Sequence, residues 1–168
     1  MQLNSLEDVL AEQLGDLRSA EQQLIEALPK MQSAATSDEL KKAFEHHLDE
    51  TRDHLKRIED IVESVGFHVP QETCEAMKGL VAEGEEIVTA TGDPMAKDAA
   101  LIAAAQRVEH YEIAAYGTAQ TLAGELGLDE AKDMLDQTLD EESNADKLLT
   151  KIATGGMFKS GVNQKAQG

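Results

Sequence analysis

Apolar residues recur along this chain at helical spacing rather than in strict alternation. Leu3, Leu10, Leu17, Leu24 and Met31 follow one another every seven residues, with Leu14 and Leu28 in a row beside them. That pattern marks one face of an α-helix. A second stripe runs Leu40, Phe44, Leu55, Ile58, Val62, Val65, a third Leu101, Ala105, Val108, Ala119, Ala123, and a fourth Leu128, Leu135, Leu149. Boundary signals separate them. Asn4 or Ser5 caps a first helix reaching about Ala35, with Pro29 expected to kink or loosen its end. Thr36 with Glu39 reads as a capping box for a second helix to about Val65, closed by Gly66. Asp93-Pro94 is a cap and an N1 proline for a third long helix to about Leu126. Gly127 ends it, Asp129 opens a fourth to about Ala153, and Gly155-Gly156 stops that one. Between Phe67 and Gly92 lies a connection with a short helix, roughly Glu72 to Ala90.

Two tight turns and one long connection predict an all-α four-helix bundle: two antiparallel hairpins joined by a crossover that contains a short helix. This is the connectivity of ferritin-like folds. The expected organisation is one bundle over 1–154 and a flexible C-terminal tail over 155–168. The chain of 168 residues suffices for one buried core, and 3% aromatic content without Trp argues against a β-sandwich or barrel. A net charge of -18 argues against nucleic acid as a partner. No apolar run approaches the roughly eighteen residues of a membrane span, and the N-terminus lacks a basic-then-apolar leader, so a cytoplasmic address is expected. The single cysteine, Cys74, excludes an internal disulfide and a thiolate metal cluster.

The chemistry lies where the stripes break. Glu21 falls between Leu14 and Leu28, Glu142 between Leu135 and Leu149, and Glu112 interrupts the third stripe with Glu109 one turn earlier. In the second stripe His47 and His54 fall inside and Glu50 at the edge, while Asp53 points away. Counted from their turns, all five glutamates lie at similar depth, roughly 20–27 Å from the hairpin ends at 1.5 Å per residue. If the hairpins align, the five converge on one layer. Buried carboxylates packed together repel and need positive charge. The inward face offers no Lys or Arg there, with Arg52, Lys56, Arg57 and Arg107 assigned to the outside. Two divalent cations helped by one or two imidazoles balance such a layer. Oxygen donors with His favour iron or manganese over copper, with zinc as an alternative. Tyr116, one turn from Glu112, is placed to bond a ligand carboxylate. His46, His68 and His110 read as solvated.

The blocks AEQQLIEALPKM around Glu21, HLDET at His47 to Thr51, CEAMKGLVAEGEE in the connection, AALIAAAQRVEHYEIAAYGT at Ala99 to Thr118 and TLDEESNAD around Glu142 resemble the YciE/YciF family of ferritin-like proteins. The resemblance implies a ferritin-like bundle, a dinuclear centre usually taken as iron, a homodimer and a role in bacterial stress. The usual Glu-x-x-His pattern is altered. Helix two reads His47-x-x-Glu50 with Asp53 at the next such offset, and Ala145 stands three residues after Glu142. The expected metal ligands are Glu21, His47, Glu50, Glu109, Glu112 and Glu142, with His54 as an alternative ligand or as a group orienting Glu50. The functional expectation is ferrous oxidation or peroxide reduction with oxygen or peroxide as substrate. Two readings stand beside it: a non-catalytic metal-binding protein, and a metal-free dimeric interaction protein.

Overall fold

The computed structural model describes residues 3–156 and 159–167. Six helices and one minimal hairpin follow in order: α1 (Leu6–Ala34), α2 (Asp38–Ser64), α3 (Glu75–Thr89), α4 (Pro94–Glu125), α5 (Asp129–Thr154), β1 (Gly155–Gly156), β2 (Lys159–Ser160) and α6 (Val162–Lys165). Among the long helices α1 packs on α2, α2 on α5, α5 on α4 and α4 on α1, so the neighbours close a ring. The chain is thus an all-helical bundle, and α3 lies outside the ring against α1 and α4.

Local chemistry sets the helix ends. Ser5 and Asp8 form a reciprocal capping box on α1, each side chain bonding the other's backbone N–H. Pro29 does not end α1, which runs five residues further, and the Pro29 carbonyl accepts from the Ser33 hydroxyl at 2.8 Å. Between α4 and α5, Leu128 N–H donates to Ala123 O at 2.9 Å and Gly127 N–H to Gly124 O at 3.1 Å. This paired closure needs a left-handed residue, and Gly127 supplies it at φ 69°.

The start of α2 differs from expectation. Ser37 is the N-cap and its side chain makes no capping bond. Asp98 from α4 caps the helix instead, taking Thr36 N–H at 2.8 Å and Ser37 N–H at 2.7 Å. Glu39, expected in the box, pairs with Lys159. Asp98 is fully buried, so its loss leaves two backbone donors unsatisfied. Asp98→Ala is expected to destabilise the fold by about 2 kcal/mol and Asp98→Asn by less, read as urea or thermal midpoints.

The connection is pinned at two places. The Pro70 carbonyl crosses α1 so closely that a Cβ at Gly15 would sit 2.8 Å from it, and Arg18 Nη2 donates to the same oxygen at 2.7 Å. Cys74 caps α3, its N–H donates to Ser19 Oγ at 2.9 Å, and its Sγ lies 2.9 Å from the Tyr111 hydroxyl. The segment expected as a loose tail folds back: β1 pairs with β2, and α6 packs on α4 and α5 with Val162 buried. Among the described residues of this polar, glycine-containing stretch Val162 is the buried apolar side chain, too little periodicity for the sequence to read as anything but a tail. Residues 157, 158 and 168 of that stretch lie outside the described residues.

The buried apolar residues form two clusters. One gathers Leu24, Leu28, Phe44, Leu101, Ala105 and Leu149, the other Leu10, Leu14, Leu17, Ile58, Tyr116 and Leu135. A polar layer separates them.

Candidate metal centre

Every helix of the ring contributes to that layer. Glu21 (α1), His47, Thr51 and His54 (α2), Glu109 and Glu112 (α4) and Glu142 (α5) are all buried. The reason is periodicity: each occupies a core position of its stripe, so burying the neighbouring leucines and alanines carries the polar side chain inward. Four carboxylates and two imidazoles therefore share one interior.

They form two overlapping groups. Ligand atoms from His47, Glu109, Glu112 and Glu142 lie within 4.8 Å of one another, and so do atoms from Glu21, His54 and Glu142. Glu142 belongs to both. His47 Nε2 stands 3.4 Å from Glu109 and 3.7 Å from Glu142, and His54 Nδ1 stands 2.8 Å from Glu142 and 3.5 Å from Glu21.

Among the described residues, every buried side-chain oxygen or nitrogen that lacks a hydrogen bond belongs to Glu21, His47, His54, Glu109, Glu112 or Glu142. Native interiors satisfy nearly all such atoms. Here both oxygens of Glu112 and of Glu142 and both ring nitrogens of His47 are unpaired. Electron-pair donors gathered without proton partners fit divalent cations, and an oxygen-rich set with imidazole suits iron, manganese or zinc.

Without a cation the layer holds protons. Burial pushes the Glu109 and Glu112 carboxyls well up, and neighbouring carboxylates, Glu142 for both, add to it. Burial raises Glu21 too, opposed by His54. At Glu142 burial disfavours the charge, but His54 and His47 overcome it and hold the carboxyl below its usual range. Burial alone would lower both histidines. The Glu109, Glu50 and Glu142 groups instead raise His47 to about 9, and Glu142 and Glu21 raise His54 to about 10.

Groups outside the layer orient it. The Tyr116 hydroxyl donates to Glu21 Oε1, as the spacing from Glu112 suggested for a ligand carboxylate. His54 Nε2 lies 2.9 Å from Glu141 Oε2. Arg57 grips that carboxylate through Nη1 at 2.5 Å and Nη2 at 3.1 Å, and the Arg57 guanidinium reaches Thr138 Oγ1 at 3.0 Å. Burial works against the Glu141 charge, but Arg57 and Gln137 hold its carboxyl below the usual range. An ionised carboxylate only accepts, so Nε2 carries the proton and Nδ1 turns toward Glu142. Arg57, assigned to the outside from sequence, is half-buried in this contact.

The expected ligands separate on one point. Glu21, His47, Glu109, Glu112 and Glu142 come together in the layer. Glu50 does not enter either group. It is partly exposed, 3.6 Å from His47 Nδ1 and 3.4 Å from His46 Nε2, at the rim. The inward register of α2 runs His47, Thr51, His54, so the buried pair three residues apart is Thr51 with His54. The sequence carried that signal, since Thr51 and His54 share the face of Phe44 and Ile58 and Glu50 is one residue off it. Glu141 left no such sign, because a glutamate beside a stripe reads as a solvated face. A cavity of about 90 Å³ is lined by the buried His47, Glu109, Phe44 and Leu149 and by the exposed His46 and partly exposed Glu50, so it joins the layer to the surface. On the opposite flank Tyr116 and the His54–Glu141–Arg57 chain close the layer.

Known proteins are similar to this chain over nearly its whole length. Residues 5–167 match the family described as a domain of unknown function, DUF892. Protein YciF of Escherichia coli strain K12 is 43% identical over 165 residues, 98% of this chain and 99% of that protein. The crystal structure of the E. coli stress protein YciF superposes with a TM-score of 0.86 at 44% identity, covering 89% of this chain and 94% of that one. The structure of YcfI from Rhodopseudomonas palustris gives 0.86 at 38% identity, covering 90% and 97%. The chain belongs to the DUF892 family and is a relative of YciF.

Proposed function

We propose that this chain is a ferritin-like bundle in which Glu21, His47, His54, Glu109, Glu112 and Glu142 hold two divalent metal ions, iron first, with Glu142 shared between them. The observation that carries this reading is the confinement of unpaired buried donor atoms to one layer fed by all four long helices. An interior of that composition without a cation leaves several carboxylates to be neutralised by protons alone. Two iron ions held by these residues would supply the electrons for reducing oxygen or a peroxide.

The chain's own residues do the rest. Tyr116 fixes Glu21 by donating to Oε1. Glu141 and Arg57 hold the His54 ring in one tautomer. The flanking apolar clusters keep bulk water from the layer. Access runs from the His47 and Glu109 side, because the cavity joins the layer there. That passage favours a reacting centre over a sealed structural one, since a closed site has no use for an entrance.

The test is titration of metal-free protein with ferrous iron under anaerobic conditions, followed by gel filtration and elemental analysis. Two ions per chain are expected, and fewer than one overturns the reading. Oxygen or hydrogen peroxide added to the loaded protein is then expected to oxidise the iron faster than it oxidises iron in buffer. Equal rates would leave a metal-holding protein without catalysis.

A further inference from the structure

A second concavity lies beside the entrance and has different chemistry. It sits between the start of α2, the end of α5 and the β1–β2 hairpin and encloses about 360 Å³. That volume falls within the range of small-molecule sites. Ala43, Leu148 and Ile152 supply apolar surface, and Leu148 is one of three large hydrophobics left exposed among the described residues. Lys42, Lys151 and Lys159 stand at its edge with one acid, Glu39. Glu39 is already paired with Lys159, and neither Lys42 nor Lys151 makes an ion pair among the described residues. A chain of net charge -18 with 15 basic residues thus places three of its lysines around one oily groove.

We infer that this groove binds a free amphipathic carboxylate, its anionic head between Lys42 and Lys151 and its apolar tail along Leu148, Ile152 and Ala43. Charge complementarity selects the occupant. The surrounding acidic surface disfavours anions generally, but it is screened beyond about 10 Å at ordinary salt, while the lysines act at contact distance. A cationic amphiphile would meet the lysines, and a fully polar anion would leave the apolar floor wet. The groove shares Ala43, His46 and Leu148 with the passage to His47 and Glu109, so a bound tail lies across the entrance. The site does not depend on metal. Its consequence for the centre does rest on the metal reading.

Calorimetry of metal-free protein with sodium decanoate is expected to show saturable binding of one molecule per chain, and decyltrimethylammonium none. Lys42→Glu with Lys151→Glu is expected to weaken decanoate by at least about tenfold at unchanged thermal stability. Leu148→Glu, at an exposed position, is expected to weaken it as well. In loaded protein decanoate is expected to slow metal removal by a chelator, and the double lysine variant to lose that protection while keeping the wild-type metal content. Equal binding of the cationic amphiphile, or undiminished decanoate binding in the double variant, overturns the proposal. So does absence of decanoate binding with a change of oligomeric state in that variant, which would make the groove an interface between copies. Failure of metal loading with decanoate binding intact would sink only the metal reading.

Discussion

Glu142→Gln is expected to lower metal binding from two ions per chain to fewer than one. Gln has nearly the same volume as Glu, so the packing between Leu135 and Leu149 is kept and only the charge and one oxygen donor are lost. Among the described residues Glu142 alone belongs to both donor groups. Removing groups that merely orient a ligand costs 10–100-fold in affinity, so loss of a shared ligand should exceed about a hundredfold. The neighbours give the comparison its force. Glu21→Gln touches only the group with His54 and is expected to leave one ion bound. Glu50→Gln sits at the rim and is expected to leave two. Elemental analysis after dialysis against a fixed free-metal concentration reads all three. Two ions retained by the Glu142 variant at near wild-type affinity would defeat the shared-ligand arrangement.

That gradation also shows what the sequence could and could not disclose. Glu21, Glu109, Glu112 and Glu142 were legible because a helix's buried face is periodic and each breaks an apolar row at matched depth. Glu50, expected as a ligand, stands outside both donor groups for the same reason in reverse. One residue is about 100° of helix, and the face of α2 that turns inward passes through Thr51 rather than Glu50. Particular pairings between helices outside that layer were not legible. Glu141 with Arg57 and His54 joins α5 to α2 across more than eighty residues, and Asp98 caps α2 from α4 across sixty-one and sixty-two. Such pairs depend on how two helices are rotated against each other, which periodicity within one helix does not fix. The fold-back of 155–156 and 159–165 escaped for a third reason: among the described residues it shows as backbone pairing and a buried valine, neither of which leaves a periodic trace.

The second large effect concerns pH, and its sign follows from the protons the layer holds in the absence of metal. His47 is raised to about 9 and His54 to about 10, against about 6.5 in the unfolded chain. A raised folded value means the native state holds the proton more tightly, so this contribution to stability is complete below pH 6.5 and is lost as pH rises through 9 and 10. Glu109 and Glu112, also raised, work in the same direction. Glu142, lowered, works oppositely, but its contribution is lost only as pH falls through an acidic value and so does not enter the alkaline window. Metal-free protein is therefore expected to lose several kcal/mol between about pH 7 and pH 10, on the order of 10 °C in Tm. Metal reverses the dependence, because a cation must displace those same protons from the ring nitrogens and carboxyls. Binding is expected to release protons, measurable as a buffer-dependent heat in calorimetry, and to tighten as pH rises from 7 to 9. The Tm gap between loaded and metal-free protein should widen over that interval. A metal-free Tm that climbs toward pH 10, or binding without proton release, would show that the histidines and carboxyls of the layer are not the groups that meet the metal.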